Sequence, residues 1–290
     1  MPELPEVERA ARRLRRAVVG RVIRGARALH FAIERVLPDA EARSLAGRTI
    51  VSVRQQAKHQ LLVLDDGRAI HGHFRMAGDW VIGRADGDPP RHARAIIDLD
   101  DGTRVSLVDP RALSSLRVVA AGSDPLTALG PDPFSRGFDG AFAGALARRR
   151  IAVKPALLDQ RVAAGVGNIY AAEALWEARI DPRTPARALD VRQVSALAEA
   201  LRVVLRRARA SRARYADGGQ RFRVYDREGE PCPRCGGPIA RIVQAGRSTY
   251  WCRACQAPPR AKATPRAVRS AVKARSPRRA SRRSPRAARP

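Results

Sequence analysis

The chain opens Met-Pro-Glu-Leu-Pro-Glu-Val-Glu. A proline inside a chain has no backbone N–H, so one at position 2 invites an explanation. It either starts the fold rigidly, with Glu3 capping the first helix, or it becomes a free secondary amine once Met1 is removed. An α-amino group has a pKa of about 7.7–8.0 against about 10.4 for lysine, so near neutral pH part of it is already an unprotonated nucleophile. Glu3 beside it is a carboxyl group placed to move protons. A second chemical signal lies near the other end. CPRC (232–235) and CRAC (252–255) form C-x2-C, sixteen residues, C-x2-C. Two knuckles of paired thiolates match the tetrahedral four-sulfur demand of Zn²⁺, and four protein ligands leave no open position, which makes the zinc structural. The bland alternative is four buried free cysteines. The stretch between the pairs reads as a hairpin with Gly246-Arg247 at its tip, so the metal would fix the hairpin and aim Arg247 at a partner.

The charge of the chain says what kind of partner. Fifty-six Lys and Arg face 28 Asp and Glu, a formal +28 with a pI near 11.6. Such a field draws polyanions, nucleic acid first and an anionic membrane surface second. No apolar run of about 18 residues exists to span a bilayer. Glu3, Glu6 and Glu8 argue against an apolar leader, which points to a cytosolic chain whose close cysteine pairs bind metal rather than form disulfides. Residues 258–290 hold 12 basic residues and neither acid nor aromatic. That composition cannot bury a core, and the expectation is a disordered, sequence-independent DNA tether.

Several elements must position these groups. Val7, Ala10, Ala11, Leu14 and Val18 repeat at helical spacing from Pro5 to Val19, with Gly20 suited to end the helix. Short Val/Ile/Leu-rich runs follow at 49–53, 60–70, 93–108 and 115–119, two of them containing a D-D-G turn. Residues 20–120 therefore read as an antiparallel β-sandwich with the first helix packed on it. LGPDPF (129–134) marks a boundary, and 138–215 looks helical. Its last helix runs from about Asp190 to Arg214, with Val191, Val194, Leu197, Leu201 and Leu205 on one face and Arg202, Arg206, Arg207 and Arg212 on the other. RFRVYDREGE (221–230) looks β-like. The expected class is a multidomain α+β chain: a sandwich with flanking helices at 1–130, a helical domain at 131–221, a zinc-finger hairpin at 222–257 and a disordered basic tail.

PELPEVE, QAKHQLLVL, HFRMAG, VDPR, LGPDP, KPALLDQ, GVGNIYAAEAL and the cysteine hairpin with Arg247 occur in that order over residues 2–256. In these the chain resembles the formamidopyrimidine-DNA glycosylase and endonuclease VIII family of base-excision repair enzymes, and PELPEVE is more similar to the first branch. The resemblance implies a sandwich, a helix–two-turns–helix domain and a finger carrying one Zn²⁺. It implies a monomer acting in the bacterial cytoplasm, at the nucleoid, on double-stranded DNA with damaged bases or abasic sites. Pro2 would attack the sugar C1′. A secondary amine can give only a cationic iminium, which acidifies C2′ and permits β- and then δ-elimination of the flanking phosphates. Glu3 would act as general acid, Lys58 would assist at the phosphate, and Arg247 would clamp it. Contacts to DNA would come from His73, His92, Arg111, Arg149, Lys154 and Asn168, the last sharing a phosphate with the N–H groups of the helix start after GVGN. Met76, Arg111 and Leu113 would fill the gap left by an extruded base.

Three features depart from that pattern. Arg75 stands where glycine is usual, Ala112-Leu113-Ser114 replaces Arg-Phe-Gly, and only about ten residues separate the long basic helix from RFRVYDREGE. The catalytic set looks complete while the recognition set does not. Weak action on 8-oxoguanine is therefore expected relative to abasic sites. Action on oxidised pyrimidines or single-stranded sites, and a non-catalytic binder of damaged DNA, stand as alternatives.

Overall fold

The computed structural model describes residues 2–211 and 222–257. Its organising element is α1 (Leu4–Val18), which buries its apolar stripe in two places at once. Leu4 lies in the core of the helical region, whereas Val7, Ala10, Leu14 and Val18 lie in the core between the sheets. The helix stops at Val18, and Gly20 follows at φ +81° as the left-handed residue that commonly ends a helix.

The chain then runs through β1 (Ile23–Ala28), the short helices α2 (Phe31–Glu34) and α3 (Asp39–Arg43), and seven strands. These are β2 (Ile50–Gln56), β3 (His59–Leu64), β4 (Ala69–His73), β5 (Asp79–Arg84), β6 (Ala93–Leu99), β7 (Thr103–Val108) and β8 (Ser115–Val119). They form two four-stranded antiparallel sheets, ordered β1-β6-β7-β5 and β2-β3-β4-β8. Period-two alternation turns Ile50, Leu62, Leu64 and Ile70 of one sheet and Ile97, Leu99, Val105 and Leu107 of the other into one shared core. Both D-D-G steps lie where expected, between β3 and β4 and between β6 and β7. The two short helices carried no sequence signal strong enough to expect them.

Beyond Leu126 the architecture is helical: α4 (Phe138–Ala147), α5 (Val153–Leu158), α6 (Asn168–Glu177) and α7 (Val191–Ala210). Two turns join α5 to α6. The last helix is shorter than its periodicity suggests. Asp190 caps it by accepting from Gln193 N–H at 2.8 Å, it ends at Ala210, and the expected continuation to Arg214 lies mostly outside the described residues. Val191, expected on the buried face, is 86% exposed because it sits at the first turn, ahead of the packing. The basic face is largely ion-paired: Arg202 with Asp139, Arg206 with Glu199, Arg207 with Glu177.

The stretch 222–230 is a run of turns, not a strand. The reason is local. The N–H groups of Arg223, Val224 and Tyr225 converge on the buried carboxylate of Glu173, at 2.9, 2.9 and 3.0 Å. Three successive donors aimed at one acceptor cannot also feed a ladder. That nest seats the finger on α6, where Trp176 and Ala172 pack against Val224, Cys232, Ile239 and Cys252. The finger hairpin comprises β9 (Ile239–Gln244) and β10 (Arg247–Cys252). Its tip is Ala245-Gly246, at φ +48° and +71°, the two positive values that a type I′ turn requires. Arg247 is therefore the first residue of the return strand, opposite Gln244, and not part of the tip.

Candidate active site and metal centre

Glu3 is fully buried. Its carboxylate accepts from the backbone N–H of Ile169 at 2.8 Å and of Tyr170 at 3.2 Å, the free donors at the start of α6. The expected phosphate on that helix start thus gives way to the protein's own carboxylate. Glu6 closes the arrangement from both sides, accepting from Glu3 N–H at 3.0 Å and from Tyr170 O–H at 2.8 Å. Leu4 N–H donates to Gly165 O at 3.2 Å. Gly167 completes the cradle. A Cβ there would meet Glu3 Cδ at 2.4 Å and Oε1 at 2.5 Å, so no side chain fits while Glu3 holds its place. Pro2, half-buried, is held by this clamp through its peptide bond to Glu3; Met1 lies outside the described residues. Burial raises the Glu3 pKa against the opposing pull of the Lys58 charge and the two helix donors. The same burial lowers that of Lys58, whose Nζ donates to Val166 O at 2.9 Å.

On the open side of this clamp is a cleft of about 550 Å³. Gly167 forms part of its wall, and Lys58, His73, Met76, Leu113 and Arg247 of the expected set also line it, with Arg75 and Gln160. No carboxylate belongs to the lining among the described residues. Two apolar side chains, Met76 and Leu113, stand in it 37% and 48% exposed, as groups meant to meet something other than water would.

Each of the key lining residues is aimed by the residue before it. Ala57 precedes Lys58, Arg75 precedes Met76, Ala112 precedes Leu113, and Ala245-Gly246 precede Arg247; all have positive φ, between +48° and +71°. Side chains hold the first three turns. Gln55 Nε2 donates to Ala57 O at 2.6 Å, and His73 Nδ1 accepts from Arg75 N–H at 3.0 Å. The buried carboxylate of Asp109 accepts from the N–H of Arg111, Leu113 and Ser114 at 2.9, 2.8 and 2.7 Å. Those donors hold the Asp109 pKa below its ordinary value although burial pulls the other way.

His73 belongs to a cluster that sequence reasoning did not assemble. His59 Nδ1 lies 2.9 Å from His71 Nε2, and Arg117 Nε donates to His71 Nδ1 at 3.2 Å. An arginine can only donate. His71 therefore carries its proton on Nε2 and gives it to His59. Burial and the neighbouring cations push the pKa of His59 and His71 down to about 4 and of His73 to about 3. The cluster is neutral at physiological pH. Since Arg75 N–H occupies His73 Nδ1, the proton of His73 sits on Nε2.

The remaining expected contacts are placed differently. Lys154 is fully buried, its pKa lowered to about 8 by burial and then by the Arg247 charge. Its Nζ donates to Asn168 Oδ1 and, at 3.3 Å, to Ser248 O; Asn168 Nδ2 also donates to Ser248 O, at 3.1 Å. The pair thus ties α5 and α6 to the strand that carries Arg247. Arg149 is paired with Asp159 at 2.6 Å. His92, at φ +65°, and exposed Arg111 lie outside the cleft lining. Sequence reasoning missed Glu6, Asp109, Gln160 and Ser248. All four stood inside matched stretches, Glu6 in PELPEVE, Asp109 in VDPR, Gln160 in KPALLDQ and Ser248 in the cysteine hairpin, but their residue types marked no role.

The four cysteine sulfurs lie within 4.8 Å of one another. Cys232 and Cys255 are 3.9 Å apart, and Cys235 and Cys252 are 3.4 Å apart. A tetrahedron with Zn–S arms of about 2.3 Å has edges of about 3.8 Å, so the donor set fits one zinc. Trp176 Nε1–H donates to Cys232 Sγ at 3.4 Å, the kind of outer contact that orients a ligand. The zinc is structural: when bound it closes the finger against α6.

The chain is similar to known proteins over most of its length. Residues 1–116 match the model of the formamidopyrimidine-DNA glycosylase N-terminal domain, and residues 129–215 that of the formamidopyrimidine-DNA glycosylase H2TH domain. Residues 229–258 match the zinc finger found in FPG and IleRS. The formamidopyrimidine-DNA glycosylase of Roseiflexus sp. is 42% identical over 273 residues, 88% of this chain and the whole of that protein. That of Paracoccus denitrificans is 41% identical over 280 residues, with 88% and 100% covered. The crystal structure of the MutM (Fpg) protein of Thermus thermophilus superposes with a TM-score of 0.76 at 38% identity, covering 88% of this chain and 98% of that one. The Lactococcus lactis Fpg in complex with DNA containing an abasic site gives 0.79 at 28% identity, covering 89% and 100%.

The clamp and the metal centre can each be tested. Gly167→Ala should displace Glu3, lower stability by about 1–3 kcal/mol, as when a buried charged acceptor loses its donors, and reduce strand cleavage at an abasic site by about 100-fold or more, the scale on which a lost proton donor slows a reaction. Thermal melting and single-turnover cleavage read both; an alanine variant with full activity would show that the clamp is dispensable. Metal analysis should find about one zinc per chain. Chelation should weaken DNA binding, as judged by titration, before the sheets lose their circular dichroism; active zinc-free protein would contradict this.

Proposed function

This chain belongs to the formamidopyrimidine-DNA glycosylase family, and on that premise we propose that it excises oxidised bases from duplex DNA and then cleaves the abasic strand through an iminium on Pro2. The observation that carries the reading is the buried Glu3 clamp. It fixes the residue next to the N-terminal amine against Gly167, in the wall of a cationic cleft whose lining holds no carboxylate among the described residues. Burial raises the Glu3 pKa, a shift in the direction that a general acid requires.

In the proposed sequence the Pro2 nitrogen attacks C1′. Glu3 protonates the sugar oxygen as the ring opens, and the bond from C1′ to the base breaks, the base leaving with the bonding pair and taking the proton shed by the Pro2 amine. The resulting iminium draws electrons from the C2′–H bond. Loss of that proton expels the 3′-phosphate, and a second elimination expels the 5′-phosphate. Lys58 and Arg247 supply positive charge where the phosphates leave. His73, with Nε2–H in the cleft wall, is a neutral donor to the same backbone. Met76 and Leu113 occupy the space of the extruded base. His92, Arg111 and Arg149 would serve the DNA backbone outside the cleft. Lys154 and Asn168 would act by holding the Arg247 strand.

Leucine at 113 has no ring to stack on the orphaned base, which supports a preference for abasic sites over 8-oxoguanine. The other motive for that preference, the short segment at 214–221, lies outside the described residues, as does the tail at 258–290.

Borohydride trapping tests the reading. The mature chain with Pro2 exposed should form a covalent adduct with duplexes carrying an abasic site, and a weaker one with 8-oxoguanine opposite cytosine. A chain that retains Met1 or bears an N-terminal tag should bind the same duplexes and trap none. Full trapping by the tagged chain would defeat the proposal, and equal trapping of 8-oxoguanine would defeat the stated preference.

A further inference from the structure

Arg75 is the cleft residue that neither the clamp nor the proposed chemistry uses. It stands at φ +53°, a left-handed conformation that glycine adopts without cost and a long L side chain does not. Strain of this kind persists where surrounding structure enforces it, and it gathers at functional sites. Here the enforcement is visible: Arg75 N–H is held on His73 Nδ1 at 3.0 Å, and β4 and β5 pin the loop on either side. The side chain is exposed, lines the cleft with Lys58 and Arg247, and has no carboxylate partner among the described residues. Most other arginines near the site are committed, Arg117 to His71, Arg149 to Asp159 and Arg161 to Asp159. Its charge is felt by all three histidines of the cluster and helps keep them neutral.

We infer that Arg75 is a DNA-binding residue of the cleft, its guanidinium taking the non-bridging oxygens of a phosphodiester beside the damaged site. A planar fork with parallel N–H donors matches that ligand, and among the described residues the Arg75 guanidinium has no carboxylate acceptor in the cleft. The same loop that presents Met76 to the gap would then hold the backbone next to it. The inference rests on the DNA-cleaving reading given above but not on its chemistry.

The test is the salt dependence of binding to a duplex with a tetrahydrofuran abasic analogue, which cannot react. Each phosphate contact contributes about 0.9 to the slope of log affinity against log salt. Arg75→Gly should flatten the slope by about 0.9, and Arg75→Lys, which keeps the charge, should leave it near that of the parent. Glycine also relieves the left-handed backbone, so the Arg75→Gly protein should melt no lower than the parent, which separates lost contact from lost fold. A glycine variant with the parental slope overturns the inference, as does one that melts markedly lower. The slope can be read on an undamaged duplex as well. Failure to prefer the abasic analogue would count against the proposed function and leave the Arg75 result standing.

Discussion

The carboxylate of Glu3 on the N–H groups of Ile169 and Tyr170 is the contact on which the site depends. Chain termini ordinarily fray. This one is fixed because a charged acceptor, once buried, is costly to leave unpaired, while each hydrogen bond to a charged group returns about 1.5–3 kcal/mol. Two such bonds and the adjacent helix dipole offset desolvation of the group, though not entirely, since burial still raises its pKa. The contact joins the first residues of the chain to a helix start 166 positions away. Leu4 packs in the helical core and Val7 between the sheets, so α1 transmits that register to both cores. An N-terminal amine could not be a reliable nucleophile on a loose end.

The second constraint is conformational. Four hairpins or loops reach the cleft through left-handed residues at Ala57, Arg75, Ala112 and Ala245. Each non-glycine residue in that region costs about 1–2 kcal/mol, an appreciable share of a net stability of about 5–15 kcal/mol. The supporting bonds from Gln55, His73 and Asp109 explain how the turns are kept, and the two-residue hairpin of β9 and β10 keeps the fourth. The finger is seated by the Glu173 nest and by Lys154 and Asn168 on Ser248. The nest and that pair hold the strand that carries Arg247, which lines the same cleft as Lys58.

Much of this was legible in the amino-acid order. Two cysteine pairs at fixed spacing announced the finger, because tetrahedral thiolate coordination permits few spacings. The Val/Ile/Leu-rich runs between 49 and 119, two of them with a D-D-G turn, announced an antiparallel sandwich. Motifs and their order singled out Pro2, Glu3, Lys58 and Arg247, and of these Lys58 and Arg247 line one cleft. What could not be read was which donor meets which acceptor over long separations. The helix start after GVGN reads as an anion site, and it is one, but the anion is Glu3. Lys154 and Asn168 read as DNA contacts, and the structure buries Lys154 and bonds both to Ser248 O, because a lysine's destination depends on what packs around it. The 222–230 stretch has strand-like composition and is bent by one distant carboxylate. The histidine cluster is invisible in sequence because His59, His71 and His73 meet only once β3 and β4 pair.

The proposed iminium could form on either of two amines, the α-amino group of Pro2 or Lys58, and peptide mapping of the borohydride-reduced adduct with abasic-site DNA separates them. If Glu3 and Gly167 position the N-terminus as described, the sugar remnant will be found on the tryptic peptide of residues 2–9, at the proline nitrogen. A remnant on the peptide containing Lys58, with an unmodified N-terminal peptide, would contradict the account.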